Sequence, residues 1–221
     1  MEDASQALAV GAYLQAAMAC REALMVAHAD RDFGTMSRIC LPMLEAQRAL
    51  RLAALDTNII HCVSKSTDIP PDPDASCYLF APNFVGADTL RFRSAANDAG
   101  IGAFVLTREP TTAKGFWPIV GVADRVVRIR IEPPKDDRPT ANWFAHAAEA
   151  LGDQAIVDAK NASQPDDPKD WIVDDFLDRL DACPEHEKFI KALADACQDA
   201  INAPTSPRKR RRGIIDDPYS F

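Results

Sequence analysis

The sequence lacks the spacings that announce chemistry. No Cys-x-x-Cys pair occurs among its six cysteines, at 20, 40, 62, 77, 183 and 197, which leaves neither a redox dithiol nor a paired-cysteine zinc site. The cysteines are too far apart, in too long a chain, for the disulfide framework of a small secreted domain. Most lie in apolar runs, where a free thiol behaves as a small buried hydrophobe, so we expect reduced thiols and a cytoplasmic protein. Gly-x-Gly-x-x-Gly is missing, as is a Gly-Lys-Ser/Thr phosphate loop, which removes the usual signatures of dinucleotide and nucleoside triphosphate sites. Neither a Gly-x-Ser-x-Gly elbow nor a His-Glu-x-x-His helix is present to suggest nucleophilic or zinc hydrolysis. No apolar run reaches the length of a membrane span. "QAAMAC", ending at Cys20, imitates a lipoprotein cleavage site. Yet Glu2 and Asp3 open the chain, no Lys or Arg precedes Arg21, and Tyr13 and Gln15 interrupt the apolar stretch, so we expect no signal peptide. These absences lean against an enzyme and ask for no cofactor and no metal.

What is present describes a folded protein with an unusual end. The chain has 221 residues, 47% hydrophobic and 26% charged, enough for a well-formed core. Its net charge is −8. From Ser206 onward five basic residues (Arg208, Lys209, Arg210, Arg211 and Arg212) outnumber two acidic ones, Asp216 and Asp217, so the preceding residues together carry −11. A body this acidic repels phosphate backbones. Nucleic-acid contact is therefore expected, if anywhere, at the tail, whose basic run has no interleaved aromatic platform. The residues that follow it, among them Ile214, Ile215, Tyr219 and Phe221, offer anchors for a protein partner or a neighbouring subunit.

Hydrophobic periodicity predicts an α+β protein: an N-terminal helical hairpin, a small mixed four-stranded sheet with one crossover helix, and a C-terminal helical region. In residues 1–56, Val10, Leu14, Ala17, Cys20 and Leu24 recur at helical steps over 3–30. Asp30 or Asp32 is available to cap a second helix that continues to Leu55, and Pro42 inside it predicts a kink or a restart. Gly11 and Ala23 fall near small-residue positions of a tetratricopeptide-type hairpin, which this segment resembles. No second copy follows, and repeat folds need several stacked copies, so we read one helical hairpin and assign no family.

Residues 57–76, with "STDIPPDPDAS", read as a Pro-rich connector. Residues 77–133 form the sheet core: strands at 77–80, 101–110, 116–122 and 127–131, with a helix capped by Asp88 and stopped at Gly100 between the first two. The order strand, helix, strand predicts a parallel pair. In the last strand Val127, Ile129 and Ile131 alternate with Arg128 and Arg130, which predicts one solvated face. Residues 134–203 supply helices that pack on the core, the first ending at Gly152 and the last starting near Pro184. Residues 204–221 are the basic tail, expected to be disordered.

Candidate sites follow from this topology. Ligands of open parallel sheets bind beyond the carboxyl ends of the strands, which nominates Asn83, Asp88, Thr107, Arg108 and Glu109. Residues 77–131 hold seven basic and four acidic side chains, and Arg91, Arg93, Arg125, Arg128 and Arg130 complete an anion-facing patch with Arg108. "CPEH" reads as a thiol beside a helix cap followed by a surface histidine. Asp170, Asp174, Asp178 and Asp181 share one helix face, read as solvated and opposite Trp171 and Phe176. The resulting expectation is a non-enzymatic binding or scaffold protein, acting through helical surfaces and a docking tail. The alternative is a small-molecule or anion-binding domain at the strand ends, and the third reading is nucleic-acid association through the tail.

Overall fold

Gly11 divides what the periodicity joins. Helix α1 (Glu2–Ala9) ends where Gly11 takes φ +74°. Its N–H reaches the Leu8 carbonyl while Ala12 N–H reaches that of Ala7, the paired closure that a left-handed glycine permits. The expected single helix over 3–30 is thus two, α1 and α2 (Tyr13–Ala29). Arg31, at φ +55°, closes α2. Asp32 then caps α3 (Phe33–Asp56) by accepting from the Thr35 N–H at 2.8 Å. Helix α3 runs through Pro42 without restarting: Arg38, whose carbonyl loses its donor, lies on the exposed side, where water can serve it.

The computed structural model describes residues 2–164 and 166–203. The expectations placed on Arg208, Lys209, Arg210, Arg211, Arg212, Tyr219 and Phe221 lie outside the described residues. Among those described, the class is α+β. The sheet, however, has five strands, not four, in the order β1-β2-β3-β4-β5. The additional strand, β1 (Ile60–Val63), sits within the stretch read as connector and pairs in parallel with β2 (Cys77–Phe80). The crossover helix α4 (Gly86–Asp98) returns the chain to β3 (Phe104–Arg108), parallel to β2 as expected. Strands β4 (Trp117–Gly121) and β5 (Val127–Ile131) then complete an antiparallel meander.

Strand alternation assigns the two faces. Cys77, Leu79, Phe104, Leu106, Trp117 and Ile119 join the main core with α2, α3 and the helices α5 (Ala141–Ala162), α6 (Lys169–Leu180) and α7 (Glu187–Ala200). On the other face Val63, Tyr78, Phe80 and Val105 pack beneath α4, against Phe92 and Ala96. Gly152 does not end α5. It lies where a Cβ would stand 2.1 Å from the Cγ of His186, so the imidazole packs directly on the helix backbone. Helix α7 begins at Glu187 with His186 as its cap, rather than at Pro184. No helix among the described residues is long and apolar enough to cross a membrane.

Candidate functional site in the cleft between α2, α3 and α4

The strand-end residues are engaged with one another. Asp88 is the third residue of α4 rather than its cap. Its carboxylate accepts from the Val85 N–H at 2.9 Å and faces Arg91 at 3.3 Å. Asn83, at φ +99°, is exposed and donates weakly to the Ser64 carbonyl. Thr107 is buried and bonded to Thr89. Arg108 and Glu109 are neighbours in an extended segment and point to opposite faces. The Arg108 guanidinium lies 4.0 Å above the Trp117 ring, while Glu109 holds Arg128 through two hydrogen bonds. Arg125 lies 3.8 Å from Asp178, and Arg130 is exposed on the solvated face of β5. Thus Thr107, Glu109, Arg128 and Arg130 share a face, Arg108 is turned away from them, and Arg93 is elsewhere, as described below.

Two sequence motifs turn inward instead of outward. The aspartate face of α6 is solvated only toward its end: Asp178 and Asp181 are partly exposed, while Asp170 is fully buried and Asp174 is largely so. Arg31, projecting from the left-handed turn after α2, spans both carboxylates, and His28 adds a hydrogen bond to Asp174 at 2.7 Å. The arginine cation and these hydrogen bonds outweigh burial and hold the Asp174 carboxyl below its usual range. The left-handed backbone costs Arg31 about 1–2 kcal/mol, and the charged clamp between α2 and α6 offsets it.

The second motif is "CPEH". His186 is buried rather than on the surface, and its Nδ1 accepts the Phe189 N–H at 3.1 Å. Burial, against the pull of Glu149 and Asp153, lowers its pKa.

His186, Glu149 and Asp153 bring three ligand atoms within 4.8 Å of one another, the arrangement of a candidate metal site. The chemistry does not fit. Because Nδ1 accepts a backbone proton, the neutral ring carries its own proton on Nε2, where a metal would need the lone pair. A ligating histidine instead donates from its second nitrogen. Lys188 also sits 2.9 Å from Glu149 and 3.2 Å from Asp153. We read an ionic tie between α5 and α7. A serine, aspartate and histidine also meet at the start of β2, with Ser76 bonded directly to Asp74 and His61 3.6 Å from the same carboxylate. The carboxylate stands between serine and histidine, and Ser76 is fully buried, so the histidine cannot act as base for that hydroxyl.

A roomier cavity lies elsewhere. A cleft of about 700 Å³ opens between α2, α3 and α4. Its walls are mainly apolar, with Leu14, Met18, Met25, Met43, Leu50 and Leu90 among them, and Phe104 and Leu180 also line it. Its polar lining includes three arginines from three helices, Arg21 from α2, Arg51 from α3 and Arg93 from α4, together with the acidic side chains of Glu22 and Asp181. Arg21 grips Asp181 through two hydrogen bonds of 3.0 and 2.7 Å. Arg51 bonds Glu149 and Glu187, and Arg93 bonds the carbonyls of Asp181 and Val105. Each nevertheless keeps one buried nitrogen with no hydrogen-bond partner among the described residues: Nη1 of Arg21 and Nε of Arg51 and Arg93. Glu185 also lines the cleft, 3.5 Å from Arg93 and buried, and burial pushes its carboxyl above the usual range against the pull of Arg93.

The orphan groups are all donors, so the missing partner is an acceptor. The nearby thiols contribute no nucleophile: burial raises Cys183, and Cys77 is pushed up to about 12. Of the residues nominated from sequence, only Arg93 belongs to this cleft. Arg21, Arg51 and Glu185 carried no sequence signal, since their convergence depends on packing between distant helices. Comparison with protein-family models, with curated proteins and with solved structures gave no match, and the site is read from its own geometry.

Proposed function

We propose that this is a binding protein whose cleft takes a small amphipathic anion, an apolar body carrying one carboxylate or comparable oxyanion. One observation carries the reading: an apolar cavity of about 700 Å³ is bordered by three guanidinium groups that each hold a buried nitrogen without an acceptor among the described residues. Cavities of this size suit metabolite-sized ligands. An unmet buried donor costs about 1–3 kcal/mol, and an oxyanion recovers more of that on binding than a neutral hydroxyl, because its hydrogen bonds are charge-assisted. The proposal keeps the expected binding role and small anionic ligand, and moves the site from the strand ends to the helices. Six free cysteines, five of them buried, support a reducing compartment, and we assign the protein to the cytoplasm.

The test is thermal unfolding with decanoate, decanol or decylamine, each below its micelle concentration. Decanoate should raise the melting temperature most, decanol less, and decylamine least. Equal stabilisation by all three would overturn the oxyanion assignment, and no stabilisation by any would overturn the cleft as a binding site.

A further inference from the structure

Glu185 occupies an awkward place in the proposed site. It follows α6 in the segment leading to α7, is 7% exposed, and lines both the cleft and a smaller cavity of about 10 Å³ beneath it, together with Arg51 and Arg93. Its closest charged neighbour is Arg93 of α4, at 3.5 Å. The other charged and titratable groups around it are Arg51 from α3, the Cys77 thiol from β2, Glu149 from α5, and Asp181, Cys183 and His186 from its own segment. Arg21 of α2 is already committed to Asp181. Arg93 is the cleft cation that faces Glu185, at ion-pair distance. A second carboxylate arriving beside Arg93 repels the ionised form of buried Glu185 and favours its protonation.

We propose that ligand binding displaces Glu185 from Arg93, and that Glu185 takes a proton from solvent as it leaves, so that each oxyanion bound brings one proton with it. This rests on the cleft being the binding site. The proton goes to a carboxylate oxygen of Glu185 and no other bond is made or broken. Burial already favours the neutral acid at this position, which lowers the work of the exchange. An acidic shift in the surroundings therefore strengthens capture of the anion, and alkaline conditions favour release.

The test is calorimetric titration of decanoate into the full chain between pH 6 and 9, in paired buffers of different ionisation enthalpy. Proton uptake approaching one per decanoate is expected, and affinity should rise by up to about tenfold per pH unit as pH falls. Decanol, with no charge to compete, should bind without proton exchange. Glu185→Gln should bind decanoate with little pH dependence and no uptake. Decanoate binding to the unmodified protein without proton exchange anywhere in this range overturns the inference while leaving the binding site intact. Failure of decanoate to bind at all removes both. If Glu185→Gln does not fold, the buffer comparison on the unmodified chain decides alone.

Discussion

Around the ends of β2 and β3, Arg91, Arg108 and Arg128 find partners close by, in the preceding helical turn, on the neighbouring strand or one strand beyond. In the cleft, Arg21, Arg51 and Arg93 reach partners 160, 136 and 88 residues away and each keeps one buried nitrogen without a partner among the described residues. The two regions are similarly rich in arginine, yet only in the second are unpartnered guanidinium nitrogens buried among the described residues. Charges that meet locally neutralise one another in pairs. A recognition site needs polar groups whose geometry the fold fixes without satisfying them, and that condition arises here between distant helices.

Arg93→Met breaks the contrast most severely. It strips the carbonyls of Asp181 and Val105 of a donor and leaves Glu185 without its cation, a loss of about 3 kcal/mol by denaturant titration. A Ser94→Trp change should separate binding from stability, because Ser94 is exposed on α4 at the cleft wall. It should abolish decanoate-induced stabilisation while changing unfolding free energy by only about 0.5 kcal/mol. Arg128→Ala, at the strand ends, removes an exposed ion pair worth at most about 1 kcal/mol, and decanoate binding should be unaltered. Smallest of all should be the effect on cleft binding of deleting residues 206–221. A changed decanoate affinity there would show that the tail takes part in the cleft.

A pH profile sharpens the same comparison, because the strand-end carboxylates face solvent while His186 is buried between α5 and α7. Its folded pKa lies below its unfolded value near 6.5. The unfolded chain therefore binds the proton more readily. The stability associated with neutral His186 is complete above that value and is lost as pH falls below it. Melting temperature should drop from pH 8 to pH 5, and His186→Asn, which can still cap α7, should shrink that drop.

Much of the fold was legible because local rules governed it. The β2–α4–β3 crossover, Gly100 as the stop of α4 and the alternating face of β5 each rest on residues within one element or one turn. The short strand β1 was hidden by the prolines that follow it, and its identity depends on pairing with β2. The continuation of α5 through Gly152 has no local signature, because a glycine that admits His186 and a glycine that ends a helix look alike in one sequence. The burial of Asp170 and Asp174 has no local signature either, since it depends on Arg31 and His28 arriving from a distant turn. The candidate site was the least legible part. Thr107, Arg108 and Glu109 are adjacent, and strand alternation alone already forbids all three from sharing a face.

The bond between Arg21 and Asp181 closes a loop of 160 residues, and α3 packs along α7 near the other end of the fold. During synthesis the N-terminal helices therefore emerge long before the surface that covers them exists. Helix α3 completes its packing only once residues 187–200 have left the ribosome. Contacts of this span slow folding and lengthen exposure to aggregation. The cleft is completed only when Leu180, Asp181 and Glu185 join the walls that α2, α3 and α4 supply.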